Sequence, residues 1–178
     1  MKFKTSTLTL NKLKVKSLKL KARRVLAVDP GFDRVGVAIL ESDKVLFSNC
    51  IVTNRNDSHE LRLLEIGENL NKVIKKWKPD SLAIETLFFN QNVSTAIKVA
   101  EARGVIIYKA SEAGLEVFEY SPQAIKIAIT GYGKANKQQV ENMLQRLVKL
   151  PADGSKKLDD ELDAIALGIT HLASQRGI

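Results

Sequence analysis

Four carboxylates in this chain have the types and positions needed to share a metal ion. Asp29 follows an apolar run in VLAVDPG, Glu85 closes a second in SLAIETLFF, and Asp160 and Asp163 lie together in LDDELDAIALGITH. A strand-end Asp, a strand-end Glu and an acidic pair on a late helix converge on one point in only certain folds. Where they do, the product is an oxygen-lined site for Mg²⁺, which binds carboxylates and keeps waters and substrate phosphates in its shell. Two-metal phosphodiester hydrolysis uses such a site, so the chemistry implied is that of a nuclease.

Each acid also has a plainer reading. Asp29 sits in Asp-Pro-Gly, which is a good turn by itself. Its place at the carboxyl end of a first strand is nonetheless where open α/β sheets bind ligands. Glu85, between Ile84 and Leu87, is costly unless paired or ligating. Asp160 and Asp163 are one helical turn apart, close enough to share an ion. They also crowd a first turn with Asp159 and Glu161, where negative charge suits the helix dipole, and the apolar stripe Leu162, Ile165, Ile169, Leu172 lies roughly opposite them. Beside the acids, FFNQN (88–92) offers an aromatic face for an unpaired base, and GYGKANK (131–137) reads either as an interhelix loop or as a phosphate-contacting flap carrying Lys137. His59 and His171 have no metal-ligand spacing. Cys50, the single cysteine, excludes an internal disulfide and reads as a buried thiol of a reducing compartment.

Positioning these groups takes one domain, and 178 residues suffice for a sizeable core. No apolar run approaches the ~20 residues of a membrane span. The net charge of +8 is uneven: residues 1–28 hold nine Lys or Arg and no acid, leaving 19 bases against 20 acids in the rest. Overall charge is therefore a weak sign of nucleic-acid binding. The segment 121–150, with Lys126, Lys134, Lys137, Arg146 and Lys149 against Glu141, is the better candidate. Residues 1–24 read as a basic, disordered appendage (an arm that touches DNA, an organelle-targeting peptide, or residues from an upstream start codon), and the folded body as 25–178. Three strands (VLAVD, RVGVAILES, KVLFSNCIVTN) form an antiparallel meander. Then come a helix near 59–77 with Leu61, Leu64, Leu70, Val73, Ile74 and Trp77 at core spacing, strand SLAIE, a helix near 93–112, strand LEVFEY, and helices opened by Ser121-Pro122 and near 137–149 and 158–174. This is a mixed α/β pattern with five strands. In the 93–112 helix, Ala96, Ala100 and Gly104 make a small-residue stripe that admits another helix.

The series VDPG, AIE with two aromatics and NQN, ARGV, SPQAIK, GYGKANK and DDELDAIALGITH, spanning about Val25 to Ala173, resembles the RuvC family of bacterial Holliday-junction resolvases. The resemblance implies an α/β, ribonuclease H-like fold: a five-stranded mixed sheet flanked by helices, in a homodimer acting on four-way junction DNA. It implies Asp29, Glu85, Asp160 and Asp163 as metal ligands and catalytic groups, with two Mg²⁺ per subunit and Mn²⁺ able to substitute. Lys137 would stabilise charge at the scissile phosphate, Lys126 would contact DNA, and Phe88 would stack at the opened crossover. A cytoplasmic setting and a branch-migration helicase complex as partner also follow from the resemblance. Alternatives are a nuclease of the same fold acting on RNA or RNA–DNA hybrid, a non-catalytic junction-binding protein, and a sugar-kinase-type ATPase, for which the chain is short.

Overall fold

The computed structural model describes residues 23–42, 44–87, 93–148 and 157–176. Strands β1 (Arg24–Asp29), β2 (Arg34–Glu41) and β3 (Lys44–Val52) form the antiparallel meander, and β4 (Ser81–Glu85) and β5 (Glu116–Tyr120) add in parallel. The strand order is β3-β2-β1-β4-β5, the expected five-stranded mixed sheet.

Alternation along the strands divides the interior into two cores. Leu26, Val28, Val37, Ile39, Leu82 and Ile84 pack against α1 (His59–Trp77) and α2 (Val93–Glu112). Val25, Ala27, Ala38, Leu40 and Ala83 face α3 (Pro122–Thr130), α4 (Lys137–Leu147) and α5 (Asp159–Arg176). The small side chains on this second face let α5 lie close. A Cβ at Gly36 would fall 1.9 Å from the Asp160 carbonyl oxygen, and one at Gly168 would fall 2.3 Å from Leu40 Cδ1. The start of α5 is therefore held directly on β2.

Three expectations need correction. Leu61 and Leu64 are 52% and 56% exposed; Leu70 and Ile74 are buried as expected, but Arg62, Ile66 and Gly67 complete the inward face of α1. The helix turns this face inward because Gly67 admits Val105 of α2 (Cβ position to Cγ1, 3.2 Å), while Arg62 bonds Thr53 and pairs with Asp33. Lys137 does not belong to the GYGKANK loop but is the first residue of α4, where the helix expected near 137–149 begins, behind the Asn136–Gln139 capping box. Arg24 belongs to the folded body: it opens β1 and pairs with Glu41 at 2.9 Å. The rest of the expected appendage, residues 1–22, lies outside the described residues.

Candidate active site

Asp29 and Glu85 end neighbouring parallel strands, one residue beyond the register pair Val28–Ile84. They share strand parity with Ala27 and Ala83, so both aim at the face covered by α5. The first turns of α5 bring Asp160 and Asp163 to the same edge. Carboxylates from three separate elements thus crowd one another. Burial, then the charges of Glu85, Asp163 and Asp160, push the Asp29 carboxyl up to about 7, against the pull of Lys137. Burial and Asp163 likewise push Glu85 up to about 7, with Lys126 opposing. Asp163 is raised chiefly by burial, with Lys137 opposing. The cluster is short of positive charge.

Two bases supply part of it. Lys137 Nζ stands 3.1 Å from Asp159 Oδ2 and 3.6 Å from Asp163 Oδ2. Arg34, at the start of β2, pairs with Asp160, and Cys50 Sγ lies 3.8 Å from the same carboxylate oxygen. Glu161, read with the acidic crowd in the sequence, is instead buried and accepts a 2.9 Å bond from Ser48 Oγ. Among the described residues, no group of three His, Cys, Asp or Glu side chains is arranged to close on one ion. The donor set is all carboxylate oxygen, the kind that suits Mg²⁺ or Mn²⁺.

A cleft of about 280 Å³ is lined by Glu85 and Asp163 together with Lys126 and Lys137, and by the apolar Ile125, Val140 and Ala166. The two lysines are thereby placed with the acids, as the motif order implies. Phe88 and Phe89 lie outside the described residues. Both histidines stand apart from the acids: His59 stacks on Phe32 and pairs with Glu101, while His171 is buried at the far end of β4 against Ser81.

The sequence reading missed two arginines. Arg34 shares strand parity with Gly36, so alternation along β2 would have placed it beneath α5. Arg103, from the ARGV motif, donates from Nε to the Glu85 carbonyl at 3.2 Å and pairs with Glu119 at 2.5 Å, bracing the end of β4 from α2. Nothing in local spacing shows that contact, because it depends on how α2 folds back beside β4.

The family model "Crossover junction endodeoxyribonuclease RuvC" matches residues 25–171. A protein of that name from Ruminiclostridium cellulolyticum is 38% identical over 156 residues, covering 85% of this chain and 93% of its own. One from Thermotoga maritima is 39% identical over 157 residues, covering 86% and 92%. Among solved structures, RuvC of Thermus thermophilus in complex with Holliday junction substrate superposes with a TM-score of 0.80 at 26% identity, covering 87% of this chain and 96% of the other. The yeast mitochondrial Holliday junction resolvase Ydc2, at 14% identity and a TM-score of 0.60, shares the fold.

Proposed function

The chain belongs to the RuvC family of crossover junction endodeoxyribonucleases, and from that premise we propose how its own residues resolve a four-way DNA junction. It is a metal-dependent DNA hydrolase of recombination and repair, with the ribonuclease H-like fold of that family. The convergence of Asp29, Glu85, Asp160 and Asp163 at one sheet edge carries the reading of its site. Carboxylates that burial first, and one another's charge second, lift to about 7 in two cases fit a centre completed by cations.

Asp29, Glu85, Asp160 and Asp163 would together hold the metal. Two Mg²⁺, or Mn²⁺ in their place, would supply an activated water and stabilise the leaving 3′ oxygen. The protein's own groups do the rest. Lys137, fixed at the start of α4 beside Asp163, offsets charge at the scissile phosphate. Lys126, on α3 in the same cleft, holds the DNA backbone. Phe88, in the segment after β4, stacks at the opened crossover. The products are a 5′-phosphate and a 3′-hydroxyl, which can be religated directly.

Paired nicks require two sites, so the acting species is a twofold homodimer. Supporting this, Gly104 has nothing within 4 Å of where its Cβ would be, and Leu64, Ile97 and Tyr108 are exposed on α1 and α2. The small-residue stripe is thus left for a second copy. A cytoplasmic setting and a branch-migration helicase partner complete the proposal. No helix among the described residues is long and apolar enough to cross a membrane.

The deciding experiment incubates the chain with labelled four-way junction, linear duplex and RNA–DNA hybrid, with and without Mg²⁺. Paired symmetric nicks in the junction alone, only with the metal, are expected. Cutting of the hybrid in preference would move the substrate to RNA, and binding of the junction without cutting would make the protein a junction binder.

A further inference from the structure

Asp160 is set apart from the other three acids by what surrounds it. Gly36 lets the Asp160 backbone rest on β2. Arg34 lies two residues before Gly36 on the same face, and Cys50 is Gly36's register partner on β3. The Asp160 carboxylate is therefore received by the β2–β3 side, where Arg34 pairs with Oδ2 and the Cys50 thiol reaches the same oxygen at 3.8 Å. Of the three acids that raise Asp29, Asp160 contributes least. The pair is half open to solvent, the Arg34 side chain being 41% exposed and that of Asp160 27%.

We infer that Arg34 is a positioning residue: it holds Asp160 against β2 as an internal counter-ion, and a divalent cation must displace it to recruit Asp160. This rests on the assignment of Asp160 as a metal ligand. Arg34 and the cation compete for one carboxylate, so the arginine weakens metal binding through Asp160 alone. It also keeps Asp160 from facing Asp29 and Asp163 uncompensated when no metal is bound. Arg34 already lines a neighbouring cleft with Phe32, Asp33, Thr95 and Lys98, which gives the displaced guanidinium a place to go.

The test is a Mn²⁺ titration of the full chain at fixed ionic strength, read by electron paramagnetic resonance of the free ion. Arg34→Met should tighten binding by roughly two- to fivefold, the range a partly exposed ion pair supports. Asp160→Asn should weaken it, and the Arg34→Met/Asp160→Asn protein should match Asp160→Asn. Arg34→Lys, which keeps the charge, should return the affinity toward that of the parent protein. Unchanged or weaker binding by Arg34→Met overturns the positioning role. So does tightening that persists in the double variant, since that would be a general field effect, or tightening of equal size in Arg34→Lys. If Asp160→Asn binds Mn²⁺ like the parent, the ligand assignment itself fails, which is a separate and distinguishable result.

Discussion

Burial and three neighbouring carboxylates all act on Asp29 in one direction, and its sign can be followed through pH. Its carboxyl is ordinary at 3.8 when the chain is unfolded and lies at about 7 in the fold. Between those values the folded protein keeps a proton that the unfolded chain has lost. Metal-free stability from this group is therefore full below about pH 4 and is lost as pH rises toward 7. Asp29→Asn should abolish cleavage yet melt higher than the parent in metal-free buffer at pH 8. The gain should be on the order of 1–2 kcal/mol, a few degrees for a domain this size, and it should vanish near pH 4. Mg²⁺ should raise the melting temperature of the parent and not of the variant; melts across pH with and without the ion decide this. The two lysines separate by assay. Lys137→Ala should cut the cleavage rate far more than junction affinity, because its charge stands at the acids. Lys126→Ala should loosen binding and flatten its salt dependence. Equal losses in both assays for both variants would show their roles misassigned.

At the scale of elements, the site depends on how closely α5 approaches the sheet. Strand and helix types, their order and the placing of acids at strand ends were legible in the sequence, because apolar periodicity and strand-end position are local signals. The inward face of α1 was not: Leu61 and Leu64 follow a core spacing, yet Gly67 and Arg62 take that side because α2, the β1–β2 turn and the β3–α1 connection supply their partners. Whether Asp160 and Asp163 were ligands or dipole complements was also undecidable locally, since only the packing of α5 on β2 shows where they are brought. That packing makes a prediction. Gly36→Ala puts a methyl 1.9 Å from the Asp160 carbonyl oxygen, backbone against backbone, so α5 must shift. The variant should lose roughly 1–3 kcal/mol, the usual cost of overpacking, and lose cleavage beyond what its melting temperature explains. Wild-type activity in Gly36→Ala would mean that the acid pair does not need this seat.

For the whole molecule, assembly rests on the face of α2 and the pH response on both ends of β4, with the acid cluster at one of them. A twofold contact through α2 would bring Ala96, Ala100 and Gly104 near their mates, so Ala100→Glu should give a folded monomer that makes single, unpaired nicks. Light scattering beside a cleavage assay checks it, and a persisting dimer would move the interface elsewhere. At the other end of the sheet, His171 sits between the Ser81 hydroxyl at 3.0 Å and the Tyr120 hydroxyl at 2.9 Å, with Tyr120 also bonded to Ser174. Burial, aided by Arg23, holds its imidazole down at about 4 rather than 6.5. Here the fold favours the neutral ring, so stability is full above pH 6.5 and is lost as pH falls toward 4. The acid cluster and His171 thus limit the metal-free protein from opposite sides. Mg²⁺ should relieve the alkaline loss and leave the acid loss untouched, because the two lie at opposite ends of β4. Replacing His171 with Gln should flatten the decline in melting temperature between pH 6.5 and 4 while sparing cleavage at neutral pH. An unchanged acid limb in that variant would place the acid sensitivity in another group.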